Sequence, residues 1–311
     1  MQNFSQTPLI HIISSLEIEI KKLTAKTTVS FKVLNPDFGS SIYNGSRVKI
    51  NAQEYIYRGY KTWIDLAQYL ECRMLTPIVV ERDFIIITYE KLNSDMSFHK
   101  EDTDKEEKYG LNSIFSRIHK DEEASYLSFY LQALKNVKID KKVRILNLGV
   151  NRGDEFQSII EIADNFTSLE VVGIDYCRSA ITSAQKKFKK HKNITFLQAD
   201  INELETLHLG EFDLIISIGT LQSSNLKFTK ILMSLVQKQL KRSGAMILGF
   251  PNCRWIDGEM VYGARVKNYS FSEMGLLYKD VVFAKKYLQQ KKFRVTITGK
   301  DYIFLTATSI V

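Results

Sequence analysis

The chain has 311 residues, 44% of them hydrophobic and 25% charged, and a formal net charge of +8. This is the composition of an ordinary globular protein, long enough for one α/β domain and a smaller companion. No apolar run approaches the ~20 residues that span a bilayer, and the N-terminus lacks the basic-then-apolar order of a signal peptide, so a cytoplasmic location and no membrane contact are expected.

A first section, residues 1–92, reads as a small α+β domain. Thr7-Pro8 is a helix start, and Leu9, Ile12, Ile13, Leu16, Ile20 and Leu23 form an apolar face behind it. Thr28 to Leu34 alternates as a strand does, and Ser41 to Ile50 carries Asn44-Gly45, a hairpin signal. A helix is predicted from about Lys61 to Leu75, then strands near Ile78 to Val80 and Phe84 to Tyr89. Residues 93–112 form a polar connector, rich in charge through SDMSFHKEDTDKEEK.

The remainder, 113–311, is a second domain. Helical spacing runs through Ile114, Phe115, Ile118, Leu127, Tyr130, Leu131 and Leu134, as one helix or two. Strands follow at Val143 to Leu148, Glu170 to Ile174, Ile194 to Gln198, Phe212 to Ile218 and Ala245 to Phe250, separated by helical segments. After an irregular stretch come a helix near Gly275 to Lys291 and a hairpin, Arg294 to Thr298 and Tyr302 to Thr308.

Charge and cysteines narrow the partners. The positive balance lies in residues 141–311, while 101–140 is net acidic. Such a field either steers an anionic partner, nucleic acid or a phosphorylated metabolite, or simply keeps lysine-rich helices soluble. The cluster Lys186, Lys187, Lys189, Lys190 and Lys192 falls at a predicted helix C-terminus, where cations complement the dipole. Cys72, Cys177 and Cys253 are far apart and form no CxxC pair. They are expected to be reduced thiols, with no zinc or other metal site.

The segment VRILNLGVNRG, Val143 to Gly153, is an apolar run ending in two glycines separated by three residues. An acidic residue, Asp175, stands about 20 residues on at the tip of the next strand, the layout of a nucleotide-type cofactor site in an open α/β sheet. A dinucleotide turn requires G-x-G-x-x-G, but the register from Gly149 puts Asn151 and Asp154 at the second and third glycine positions. Asp154 would also face a pyrophosphate with negative charge, which argues against NAD.

With five βα units closed by a hairpin, the chain from Ser113 onward resembles the class I S-adenosylmethionine-dependent methyltransferases. That resemblance implies a Rossmann-like doubly wound sheet of seven strands with an antiparallel last strand, and S-adenosylmethionine as cofactor. Asn147, Gly149, Asn151 and Gly153 match the family's first motif, with Asn147 in place of its usual acid and Asn151 in place of its middle glycine. The bare glycines would let the backbone approach the cofactor, and Asn151 tolerates a positive φ. Asp175, followed by Tyr176, matches the carboxylate that takes both ribose hydroxyls as donors. Asp200 and Ile201 match the residues that hold and pack the adenine, and Ser217 to Gln222 would lie near the transferred methyl group. An Asn-Pro-Pro-aromatic signature, which marks enzymes acting on exocyclic amines, is lacking.

Methyl transfer asks for orientation more than for a catalytic side chain, so no catalytic residue is assigned. The loop from Pro251 to Tyr269 is the candidate substrate region, with Arg254, Trp255, Tyr262 and Arg265, together with Asp257 and Tyr269, suited to a planar or anionic acceptor or to packing the loop down. Cys253 occupies the place of a nucleophile in RNA cytosine-C5 methyltransferases, without their Thr-Cys and Pro-Cys sequences. His99, Tyr109 and His119 in the connector are candidates for a lid. The acceptor, whether small molecule or macromolecule, is left open, as is dimerisation through the N-terminal domain. The alternative is a catalytically silent interaction protein that keeps the sheet.

Overall fold

The computed structural model describes residues 1–97, 106–223, 225–264 and 272–310. They divide into two units, Met1–Ser97 with Trp255–Val261, and Phe98–Arg254 with Tyr262–Val311.

In the first unit the elements are β1 (Gln2–Asn3), α1 (Leu9–Ile20), β2 (Thr28–Leu34), β3 (Arg47–Ile50), β4 (Gln53–Ile56), α2 (Tyr60–Tyr69), β5 (Cys72–Met74), β6 (Ile78–Glu81) and β7 (Phe84–Lys91). The sheet runs β1-β2-β7-β5, with β6 also on β7. Alternation of Val29, Phe31 and Val33 on β2 with Ile85, Ile87 and Tyr89 on β7 buries one face, and the two strands pair antiparallel along their length. The α1 stripe Ile12, Leu16, Ile20 and the α2 residues Trp63, Leu66 and Ala67 cover it.

Two sequence expectations change here. The hairpin is β3-β4 and turns at Asn51-Ala52, both with positive φ, not at Asn44-Gly45. That pair supplies the left-handed conformations a two-residue turn needs, while the Asn44 side chain accepts from the Gly59 amide at 2.8 Å. The helix predicted to Leu75 stops at Tyr69, because Glu71 turns to φ +52 and Cys72–Met74 joins β7 as a strand.

The second unit opens with short 3-10 turns, Ile114–Arg117 and Lys120–Glu122, before α3 (Ala124–Asn136). It continues through β8 (Arg144–Leu148), α4 (Asp154–Ile162), β9 (Glu170–Asp175), α5 (Arg178–Lys187), β10 (Ile194–Gln198), β11 (Phe212–Ile218), α6 (Phe228–Ser234) and β12 (Leu240–Pro251). The hairpin β13 (Cys253–Ile256) and β14 (Glu259–Tyr262) follows, then α7 (Gly275–Gln290), β15 (Phe293–Gly299) and β16 (Tyr302–Ser309).

Its seven-stranded sheet has the order β10-β9-β8-β11-β12-β16-β15. The pairs from β10 to β12 are parallel, and β16 lies antiparallel to both β12 and β15. This is a Rossmann-like sheet with the antiparallel last strand that the sequence implied. Its central strands are rich in buried Ile, Leu and Val because both faces are covered. The order reverses between β8 and β11, so the crevice outside the carboxyl ends of these strands is where such a sheet takes a ligand.

The β13-β14 hairpin, read as irregular from sequence, turns at Asp257-Gly258 with positive φ at both residues. Its tip, Trp255–Val261, is part of the first unit: Ile256 and Val261 bury with Leu92, Asp257 pairs with Lys26 at 2.6 Å, and Arg73 Nε donates to Glu259 at 2.6 Å.

Phe31 is fully buried, with ring contacts to Phe4, Trp63 and Tyr89 at 5.1–5.8 Å. Phe31→Ala is expected to destabilise the first unit by about 3–5 kcal/mol. Urea unfolding followed by tryptophan fluorescence checks it, since Trp63 and Trp255 both belong to that unit.

Candidate functional site

The turn after β8 is shaped by three left-handed residues, Gly149 (φ +71), Asn151 (+45) and Gly153 (+77). The amides of Gly149 and Val150 both donate to the Ile174 carbonyl, at 2.8 and 3.0 Å, which fastens the turn to β9. A Cβ on Gly149 would lie 1.9 Å from Thr220 Oγ1, and one on Gly153 2.7 Å from the Phe188 ring. These missing side chains make room for Thr220 and Phe188.

Asp175 ends β9 and is the centre of the site. Its Oδ2 accepts the Asn151 amide at 2.8 Å and its Oδ1 the Cys177 amide at 2.9 Å. Burial raises its pKa, against the opposing pull of the Cys177 and Asn151 hydrogen bonds. The Tyr176 amide adds a lesser pull, and a carboxylate with about four acceptor sites still has capacity for a ligand donor. On β8, Asn147 is 1% exposed and its Nδ2 has no hydrogen-bond partner. An unmet buried donor costs about 1–3 kcal/mol, so this amide suits a polar ligand group at the strand tip.

The first turn of α4 carries Asp154 and Glu155. Asp154 accepts from Lys187 at 2.9 Å and Arg152 at 3.3 Å. Burial pushes its pKa up, but Lys187, Arg152 and Lys120 outweigh it and hold the carboxyl below the ordinary range. Glu155, 3% exposed, pairs with Lys120. The helix start is already filled by carboxylates, which disfavours a pyrophosphate there.

The other expected cofactor residues divide. Tyr176 is 53% exposed at the β9 tip. Asp200 caps the 3-10 helix Ile201–Leu207, its Oδ1 accepting from the Asn202 amide at 2.8 Å and from Asn202 Nδ2 at 2.9 Å. Ile201 is buried in the core with Leu204. Ser217 is buried within β11 and donates to the Leu148 carbonyl at 3.3 Å, so its hydroxyl serves the sheet.

Residues 106–118 form a strap over these strand tips. Asn151 Nδ2 donates to the Tyr109 carbonyl at 2.7 Å, Ser179 Oγ donates to Glu107 at 2.9 Å and accepts from the Leu111 amide at 3.1 Å, and Gln198 Nε2 donates to Glu106 at 3.2 Å. Arg152 donates to the carbonyls of Ser116 and Ile118. Burial, then the nearby charge of Asp175, raises the Tyr109 pKa. Two shallow depressions, about 320 and 450 Å³, flank His191 and Lys192 beyond the opposite end of β10. Of the three lid candidates, Tyr109 is in the strap, His119 is exposed beside it and His99 lies outside the described residues. Glu106, Glu107, Arg152, Ser179 and Gln198 carry no periodic signal, being polar contacts between segments far apart in sequence.

The residues expected in the acceptor loop fall in both units or outside the described residues. Arg254 Nη1 donates to the carbonyls of Tyr262 and Gly263, both at 2.9 Å, and so braces the hairpin. Tyr262 is 43% exposed and donates to Met274 Sδ at 3.4 Å, Trp255 belongs to the first unit, and Arg265 and Tyr269 lie outside the described residues. Cys253 is buried. Its thiol is pushed up to about 12, by burial first and then by Asp301 and Glu123, so it is no nucleophile at neutral pH.

A family profile described as a methyltransferase domain matches residues 139–297. The chain belongs to this methyltransferase family, and its sheet has the class I order. No curated protein matches the chain. Among solved structures it is similar to the N-methyltransferase NodS of Bradyrhizobium japonicum bound to S-adenosylhomocysteine (15% identity, 61% of this chain and 90% of that one, TM-score 0.43). It is also similar to a precorrin-6y C5,15-methyltransferase of Geobacter metallireducens (12%, 58% and 88%, 0.41) and to fibrillarin of Aeropyrum pernix (13%, 57% and 74%, 0.39). These likenesses are too distant to bear on the acceptor.

Both Gly149→Ala and Gly153→Ala are expected to destabilise the protein by at least ~1–2 kcal/mol, the cost of a side chain at positive φ, with the overlaps added. Thermal unfolding of the two variants measures it.

Proposed function

We propose that the chain transfers the methyl group of S-adenosylmethionine, bound across the tips of β8, β9 and β10. The carrying observation is Asp175, a carboxylate held beside the glycine turn by two backbone amides and with acceptor capacity to spare. It suits the vicinal hydroxyls of a ribose. The unpartnered amide of Asn147 supplies a polar contact for the amino-acid end of the cofactor, although as an amide it forms no ion pair with an ammonium group. Gly149, Asn151 and Gly153 shape the turn, Tyr176 flanks the ribose, Asp200 and Ile201 border the adenine, and Ser217 holds β11 in place beneath the reacting end.

When bound, a sulfonium supplies an already activated methyl group. That carbon would pass directly to a lone pair of the acceptor, with the sulfur retaining the electrons of the broken bond as a neutral thioether. For the protein the task is orientation and exclusion of water, worth about 7–11 kcal/mol of barrier. Asp175 fixes the ribose, and with it the direction from which the methyl group is presented.

The net charge of +8 favours an anionic acceptor through the overall field, while the lysine cluster that ends α5 lies at the far end of β10 from the cofactor residues. Lys186, Lys189, Lys190 and Lys192 are exposed around and beyond the end of α5 and form no salt bridge among the described residues, unlike Lys187. Helix-dipole compensation applies to Lys186 and Lys187, within the last turn, but not to the three lysines beyond it. No helix among the described residues is long and apolar enough to cross a membrane. Three buried, unpaired thiols accord with a cytoplasmic setting. The N-terminal unit serves acceptor choice or dimerisation in this reading.

S-adenosylhomocysteine at 100 times its dissociation constant should stabilise the protein by ~2.7 kcal/mol, a rise of several degrees at roughly 2–4 °C per kcal/mol. Asp175→Ala should abolish that rise in a thermal shift measurement. No rise in the wild type would point instead to a silent interaction protein.

Hydroxyl donors favour the ionised carboxylate, so affinity should fall as pH drops through the raised pKa of Asp175, at higher pH than for an ordinary Asp near 3.9. In the free protein this shift contributes stability that is fully present below the unfolded-state pKa and is lost as pH rises through the raised folded-state pKa. Calorimetric titration across pH 4–7, with Asp175→Asn as the control that lacks the dependence, tests this.

A further inference from the structure

We propose that residues 106–118 close on the adenosyl part of the cofactor, with Asn151 as the positioning residue that latches them. This rests on the reading that Asp175 holds the ribose. Asn151 makes two different hydrogen bonds. The Asn151 backbone amide donates to Asp175 Oδ2, and its side chain donates to the Tyr109 carbonyl. A glycine allows the positive φ and the first bond but not the second.

The strap's remaining ties reach each element expected to touch the adenosyl group. Glu107 and Leu111 bond Ser179 just after the ribose carboxylate, Glu106 bonds Gln198 at the end of β10, and Arg152 of the glycine turn holds Ser116 and Ile118. Tyr109 is half-buried close enough to Asp175 to feel its charge. Tyr109 is thus a neighbour of the carboxylate proposed to take the ribose. The ties are mostly polar, and the segment consists of 3-10 turns with Gly110 and Ser113 as its buried members. Such a segment opens locally without unfolding the sheet. Entry and exit of the cofactor therefore require release of the strap, and the latch sets how long the cofactor stays.

The test is dissociation of S-adenosylhomocysteine, measured by displacement, together with amide hydrogen exchange of residues 106–118. In the wild type the ligand should slow exchange in the strap. Asn151→Gly should speed both dissociation and association by roughly 3- to 10-fold, the value of one hydrogen bond, while the melting temperature of the free protein stays nearly unchanged. Ser179→Ala, which removes two strap ties and leaves the turn intact, should act in the same direction and guards against a folding defect in the first variant. Unchanged dissociation in both variants, or faster strap exchange when ligand binds, would overturn the proposal. If the wild type shows no ligand signal, the Asp175 reading itself fails, an outcome distinct from normal binding with an indifferent strap.

Discussion

The bond network around Asp175 is the constraint on which the rest of the site depends. A parallel sheet brings β8 and β9 side by side, but their tips would diverge without something to join the loops that leave them. Asp175 does so by accepting amides from both loops, Asn151 on one side and Cys177 on the other, and the Ile174 carbonyl adds two more bonds from the glycine turn. The carboxylate is largely buried, which is unfavourable for its charged form, yet donors from the backbone keep it fixed. An acceptor held in this way needs little rearrangement to receive a ligand's hydroxyl groups, which is the preorganisation that methyl transfer relies on.

Around this centre the charges are arranged in compensating pairs. Two carboxylates at the start of α4 favour the helix dipole and are each neutralised, Asp154 by Lys187 and Arg152, Glu155 by Lys120. Arg152 and Lys120 belong respectively to the turn and to the segment just after the strap, so neutralising α4 also holds those segments in place. The net effect is a site whose acidic groups, apart from Asp175, are spent on structure.

The acceptor loop shows how a sequence rich in arginine and aromatic residues can have a scaffolding purpose. Arg254 spends its guanidinium on two carbonyls of the hairpin, and the tip from Trp255 to Val261 completes the small N-terminal unit, with Asp257 bound to Lys26 and the Asn93 amide. The chain thus returns to its first unit after building most of the second. A loop at the carboxyl end of β12 has become part of another fold.

Much was legible in the sequence because it is local. Strands β8 to β12 are apolar runs of the right length, the spacing from Gly149 and Gly153 to Asp175 is set by one βα unit, and the terminal hairpin implied an antiparallel last strand; together these pointed to the fold and the methyltransferase family. Other features depended on partners distant in the chain. Turning the hairpin at Asn51-Ala52, ending α2 at Tyr69 and forming β5 were decided by pairing, which outweighs local propensity. That Gly149 and Gly153 make room for Thr220 and Phe188, that Ser217 bonds the neighbouring strand, and that Cys253 is a buried thiol follow only from packing. Sequence by itself determined the succession of strands and helices in the second domain and the positions of its motifs, because periodicity and turn chemistry act between near neighbours. Tertiary structure alone decided what each motif residue touches, including the strap over Asp175, because hydrogen bonds between side chains far apart in sequence leave no periodic trace.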